Sequence, residues 1–382
     1  TMNNDKRRFT AVILLMLLAA SMILIFQIHP HMRDFEVNYT AGKRMRLGET
    51  LYRQEDEHYM FKYLPSAALL YVPLACLPLD SAKSIWFVLS LAALAGVVVL
   101  SRMLLPPGKK TWPWVVTVFI LAKFYLREIQ LGQINAMVTA VLLAMFLTLK
   151  HNSFHIRRHS SAGFAWGLAV SMKPYSLIFF PYWLIKRHFI LLAAGLAFIL
   201  AAGFLPAYYY GFSGNLTVLQ EWYATLSQST PMLFSSQDNV SLIAFFTKLS
   251  GSPGRAIFPA AAFILILAGL VLAGMIKSLV LYRPGFLEGA LLLLCIPLVS
   301  PLGWDYTFLS ATLGIMTILH FFKFYPLTAR IVCGLNFAVI ALSLYDLMGP
   351  QLYARFMHWS VLTINFLILT GYLAYLRFKK IY

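Results

Sequence analysis

Apolar runs alternate with short polar stretches along almost the whole chain, from Phe9 to Leu376. Their lengths approach the roughly 20 residues a helix needs to cross a hydrocarbon layer about 30 Å thick. In lipid an unpaired backbone group costs several kcal/mol, so such runs must be helices or strands of a closed barrel, and continuous apolarity lacks the alternation of barrel strands. The pattern predicts an all-α, polytopic transmembrane bundle of about twelve helices. The first run is Phe9–Ile28; others begin near Ile85, Trp112, Ile134, Ala162, Pro174, Phe189, Ile257, Phe286, Tyr306, Ile331 and Trp359. Two polar segments, 29–80 and 209–255, are longer than simple connectors, and their aromatic residues predict short interfacial helices. Lys173-Pro174 divides one run, which predicts a broken helix or a re-entrant pair. With no internal repeat, residues 1–382 read as a single domain.

Composition removes the soluble alternative: 60% of residues are hydrophobic and 12% charged, against roughly 25% charged in soluble domains. The net charge of +17 is not a nucleic-acid footprint, because the basic residues sit at the ends of apolar runs. With the amino terminus inside, one set of alternating loops collects Lys6, Arg7, Arg8, Arg102, Lys109, Lys110, Lys150, Arg157, Arg158, Lys186, Arg187, Lys277, Arg283, Lys323, Arg330, Arg377, Lys379 and Lys380. That distribution puts both termini in the cytoplasm and nearly all carboxylates outside, Asp5 and Glu288 being the exceptions. Phe9–Ile28 follows basic residues as a signal peptide does, but without a small-residue cleavage site it reads as a retained span. Cys76, Cys295 and Cys333 have no paired spacing, so neither a disulfide framework nor a zinc site is expected.

The acids that can do chemistry therefore lie in the external segments. Arg33-Asp34-Phe35-Glu36 opens the first of these. Asp34 can take a proton from an attacking hydroxyl, can share a divalent cation with Glu36, or can simply pair with Arg33 in solvent. Lys43, Arg44, Arg46, Arg53 and Lys62 stand on the side that should be poor in basic residues. They call for an anion such as phosphate, or belong to an ordinary amphipathic interfacial helix. Phe61-Lys62-Tyr63 forms an aromatic and basic lip, and Gly132-Gln133-Ile134-Asn135 begins a later run. Lys173, at an external helix end, either binds phosphate or snorkels. In the second segment Gln237-Asp238-Asn239 can hydrogen-bond sugars, or Asp238 caps the next helix. Trp304-Asp305-Tyr306 offers an aromatic face for a sugar ring, or an interfacial Trp with a capping Asp.

The order of these motifs resembles the glycosyltransferase C superfamily, and most closely glycosyltransferase family 87, the polyprenyl-phosphate-mannose-dependent α-mannosyltransferases. The carrying residues are Asp34-Phe35 with Tyr39, Ala41, Gly48, Leu51 and Tyr52; Lys62-Tyr63 with Pro65 and Pro73-Leu74; Gly132-Gln133 with Asn135; Gly163 with Lys173-Pro174; Gln237-Asp238-Asn239 with Ser241; and Ser300-Pro301 with Trp304. The resemblance implies an inverting transferase that moves a sugar, mannose first, from a polyprenyl phosphate to a lipid or glycan acceptor. It implies action at the outer face of a bacterial cytoplasmic membrane, among membrane lipids, without nucleic acid and without a cofactor; a divalent cation need not be involved. Asp34 becomes the general base, and Lys62, Lys173, Arg33 and Arg44 become candidates for holding the donor phosphate. Glu36, Tyr39, Tyr63, Gln133, Asn135, Gln237, Asp238, Asn239, Trp304, Asp305 and Tyr306 become candidates for sugar or acceptor contact. One departure stands out: where the family has a histidine after its Ser-Pro and Trp motif, this chain reads Asp305-Tyr306-Thr307. That points to a different lipid-linked sugar, or to Tyr306 taking over a hydrogen bond. The competing readings are a metal-dependent transferase using Asp34 and Glu36, and a lipid-carrier flippase.

Overall fold

A computed structural model describes residues 28, 31–107, 112–150, 155–277 and 285–379. Apart from Ile28, the expected first span Phe9–Ile28 lies outside the described residues, as do Lys6, Arg7, Arg8, Lys109, Lys110, Arg283 and Lys380 of the topology argument. The described residues form sixteen α-helices, more than the expected twelve, and no strand. They are α1 (Arg33–Arg46), α2 (Pro65–Ala68), α3 (Leu79–Leu104), α4 (Trp112–Leu131), α5 (Asn135–Leu149), α6 (Ile156–Met172), α7 (Phe179–Ile185), α8 (Phe189–Phe204), α9 (Ala207–Met232), α10 (Leu242–Ser250), α11 (Pro253–Lys277), α12 (Phe286–Val299), α13 (Thr312–His320), α14 (Leu327–Leu342), α15 (Tyr345–His358) and α16 (Val361–Phe378).

Length separates these helices into classes. Three described helices, α3, α11 and α16, are long and apolar enough to cross a membrane alone. The count rises to six if the bent pairs α4–α5, α8–α9 and α14–α15 are each one span, with bends of 119°, 94° and 102°. Among the described residues twelve crossings are not reached on length, because at 1.5 Å per residue a helix of about 15 residues covers only about 22 Å. Lipid is still the solvent of the outer surface: Phe119, Leu200, Phe258, Leu265 and Leu335 stand exposed on four different helices, which a water-soluble surface would not tolerate as a belt. The chain is a membrane protein.

At the centre runs α12, buried on every side from Phe286 to Leu298, as a helix without a polar face must be. Around it pack α13, α16 and the 3-10 helix Asp305–Ala311. Elsewhere small residues let helices meet backbone to backbone. A Cβ on Gly163 would lie 2.4 Å from the Leu191 carbonyl oxygen, and one on Gly167 would lie 2.7 Å from that of Gly195. This Gly163-x-x-x-Gly167 face therefore docks α6 on α8 by close van der Waals contact, the usual association mode in lipid.

The end of α12 opposite the candidate site is tied down by charge. Glu288, read from the sequence as an isolated acid on the basic side, is buried and accepts from Arg377, from the Tyr182 hydroxyl at 2.8 Å and from the Gly285 amide at 3.0 Å. Lys186 Nζ lies 3.2 Å from the same carboxylate. One buried acid thus gathers two cations that had read as topology signals.

The long polar segments are ordered. In the first, α1 buries Phe35, Asn38, Ala41, Gly42 and Met45, a helical spacing that turns one face inward. The second is not built of short interfacial helices alone: α9 runs 26 residues with a break at Gly211. Ser241, not Asp238, caps α10, accepting from the Ala244 amide. At Lys173 the chain leaves α6 in an extended conformation, as a residue before proline does, and re-enters through the 3-10 helix Pro174–Ile178. Lys173-Pro174 is therefore a broken helix.

Candidate active site

Asp34 sits in the first turn of α1, and its position is set by a glycine on another helix pair. Gly132, at the α4–α5 bend, has φ +69°, a conformation open to glycine at little cost. Its missing side chain makes room for Phe35. Phe35 rests against Trp86 with ring centroids 5.3 Å apart, and the Trp86 indole donates to the Gly132 carbonyl at 2.9 Å. The motif Asp34-Phe35 is thereby pressed onto the motif Gly132-Gln133. Gln133 Nε2 donates to Asp34 Oδ2 and, at 3.1 Å, to the Tyr306 hydroxyl.

Behind that contact lies a buried polar relay. Gln133 Oε1 accepts from Lys173 Nζ at 3.1 Å and from the Tyr63 hydroxyl at 3.3 Å. Lys173 Nζ also donates to Asn135 Oδ1 at 2.8 Å and lies 5.0 Å from the centre of the Tyr63 ring. Asn135 Nδ2 in turn donates to Glu128 at 2.8 Å. An ammonium has three donors, so two bonds leave Lys173 one N–H for a ligand.

A cavity of about 660 Å³ opens in front of Asp34, with Lys62, Tyr63, Gln133, Lys173, Asp238, Trp304 and Tyr306 in its wall. With Asp34, these residues come from six separate stretches of the chain. Lys62 is half-buried, and burial lowers its pKa from the usual range. Three aromatic or phenolic groups and an acid beside two lysines make a wall that can hold a sugar ring and an anion together.

The other candidates stand elsewhere. Glu36 is i+2 from Asp34, and residues two apart on a helix do not share a face. It pairs with Lys83 at 2.6 Å and Arg33 at 3.4 Å. Arg33, Glu36 and Arg44 line a separate, smaller cavity of about 320 Å³. There Arg44 is spent on Asp56, whose carboxyl it holds below the usual range by hydrogen bonding. Asp34 and Glu36 thus open into different cavities; among the described residues no three His, Cys, Asp or Glu side chains converge. Tyr39 donates to the Leu77 carbonyl at 2.7 Å. Asn135 sits behind the cavity wall, its amide consumed by the relay. Gln237 is exposed and offers only its carbonyl, to Lys248. Buried Asn239 holds the Pro301 carbonyl at 3.1 Å and pairs with Trp304 through the backbone. Asp305 accepts from the Tyr306 amide at 2.8 Å, fixing the residue whose hydroxyl meets Gln133.

Three wall or relay residues were not singled out from the sequence. Arg127 and Asn38 line the cavity, and Glu128 anchors the relay. Arg127-Glu128 follows directly on an apolar run and precedes Gly132, and that charged pair was the available signal. Asn38 is one helical turn beyond Asp34; it is buried, and neither of its amide atoms has a partner among the described residues.

A sequence model of glycosyltransferase family 87 matches residues 61–301 of the chain. The matched stretch includes Lys62, Gln133, Lys173 and Asp238 and lies between Asp34 and Trp304. No curated protein and no solved structure matches the chain.

Proposed function

The chain belongs to glycosyltransferase family 87, and from that premise we propose that it transfers a sugar, mannose first among the candidates, from a polyprenyl phosphate to a hydroxyl of a lipid or glycan acceptor at the outer membrane face. The observation that carries this reading is the acid Asp34 facing one cavity with Lys62, Lys173 and Arg127.

In the proposed step the acceptor hydroxyl gives its proton to Asp34 as its oxygen bonds to the sugar's anomeric carbon. The bond from that carbon to the phosphate oxygen breaks, and its electron pair leaves with the polyprenyl phosphate. A single displacement of this kind inverts the anomeric centre, as it does when a carboxylate base activates the nucleophile in inverting glycosidases. The departing phosphate needs fixed cations. Lys62, Arg127 and the remaining N–H of Lys173 supply them. Trp304 and Tyr63 offer faces for the sugar, and Asp238 a hydroxyl acceptor.

The test is turnover by purified protein in lipid nanodiscs with polyprenyl-phosphate mannose, glucose, arabinose and galactose, alongside Asp34→Asn and a chelator. Consumption of one donor, lost in Asp34→Asn and kept with chelator, is the expected result. Full activity of Asp34→Asn would remove Asp34 as the base; loss with chelator would favour a metal-dependent transfer. Movement of lipid-linked sugar across sealed vesicles without transfer would replace the reading by a flippase.

A further inference from the structure

We propose that Glu128, acting through Asn135 and Gln133, fixes the orientation in which Asp34 meets the acceptor hydroxyl, and so is a positioning residue of the transfer reaction. The proposal rests on the transferase reading above.

Glu128 is fully buried near the end of α4 and does not line the cavity. Its Oε1 accepts from the Ala136 amide and its Oε2 from Asn135 Nδ2, both at 2.8 Å. An ionised carboxylate only accepts, so it dictates which end of the Asn135 amide faces it. Asn135 Oδ1 must then turn the other way, where it accepts from Lys173 Nζ at 2.8 Å and the Tyr175 hydroxyl at 3.2 Å. Held there, Lys173 donates to Gln133 Oε1. With donors around that oxygen, the Gln133 nitrogen has to face Asp34 and Tyr306. The reversed amide would set an oxygen against the Asp34 carboxylate and an NH₂ against the Lys173 ammonium, two repulsions in a buried site.

The consequence falls on the reacting atoms. Gln133 occupies Asp34 Oδ2, and among the described residues Oδ1 has no hydrogen-bond donor, so Oδ1 is the oxygen that takes the proton. Glu128 touches neither substrate nor Asp34, yet it decides which Asp34 oxygen is available. A buried acid kept only for packing would be costly, since an apolar residue of its size serves as well or better.

A double-mutant cycle in nanodiscs tests this, with Glu128→Gln, Gln133→Ala and the pair, reading kcat and donor KM. Because misplacing a reacting group costs on the order of 100-fold, Glu128→Gln is expected to lower kcat roughly 10- to 100-fold and leave donor KM within about threefold. The pair should be no slower than Gln133→Ala alone, since residues acting in series are not additive. Additive losses, or a raised KM with kcat intact, overturn the proposal. If Glu128→Gln does not fold, Asn135→Ala cuts the same relay and the same non-additivity is required of it. A wild type inert toward every donor overturns the transferase reading and this proposal with it; an active wild type with additive losses overturns the proposal alone.

Discussion

A Cβ placed on Gly132 would fall 2.6 Å from the Cβ of Phe35, so the α4–α5 bend and α1 touch at a point where only glycine fits. That contact sets Gln133 against Asp34, because Gln133 follows Gly132 in the chain and Asp34 precedes Phe35. Gly132→Ala meets both the clash and a positive φ, strain on the order of 1–3 kcal/mol or more. We expect it to push α1 away and cut kcat roughly 100-fold, the scale on which a misplacement of about 1 Å is felt. Turnover near wild type in the nanodisc assay would show that the contact does not align the acid.

Asn38 makes the opposite kind of prediction. A buried amide without partners costs about 1–3 kcal/mol, and here it lines the cavity one turn from Asp34. Asn38→Leu keeps the volume and removes the orphaned atoms. The substrate-free variant should unfold at a higher temperature than the wild type, while KM for donor or acceptor rises. A lowered midpoint with KM unchanged would mean that Asn38 is not held there for a sugar hydroxyl.

How much of this was legible beforehand depends on the range of the interaction. α3, α5 and α16 are uninterrupted apolar runs with charge at their ends, so hydropathy locates them. The bend between α4 and α5 is not in either run; it follows from Gly132 meeting Phe35 across nearly a hundred residues. Order along the chain brought Asp34, Lys62, Gln133, Lys173 and Trp304 forward together, and they share one cavity. Arg44 and Glu36 looked equivalent to them because their partners, Asp56 and Lys83, are chosen by the fold. Glu128 was passed over because a charged pair beyond Leu126 reads as the start of a loop, whereas α4 continues to Leu131.

Asp305 yields a pH dependence. Burial, and after it the charge of Asp238, pushes its carboxyl up to about 6 from an ordinary 3.8. Between those values the folded state binds more protons than the unfolded one, so this group makes stability fall as pH rises through the window and contributes a constant penalty above it. Asp305→Asn cannot ionise and keeps an oxygen for the Tyr306 amide. Its unfolding midpoint should match the wild type near pH 4, exceed it increasingly up to pH 6, and stay above it at a constant interval to pH 8. An interval that is the same at pH 4 and pH 8 would show that ionisation of Asp305 is not its source.

At the far end of α12, Glu288 faces Lys186 and Arg377 in a nearly closed site, with Lys186 wholly buried. Removing one member of such a set strands the others: Glu288→Gln leaves two cations without their counter-charge, a loss of about 3 to 5 kcal/mol when a buried pair is broken. The expected readout is a marked drop in unfolding midpoint in detergent micelles, with donor KM unchanged in whatever folded fraction remains, since the cluster does not line the cavity of Asp34. The sharper comparison adds Lys186→Met to the same chain. One cation then remains, and it keeps a partial route to solvent, because Arg377 is 18% exposed while Lys186 is not exposed at all. The pair should therefore be more stable than Glu288→Gln alone. A pair that is less stable than either single variant would mean that packing around Lys186, and not charge, holds this end of the bundle.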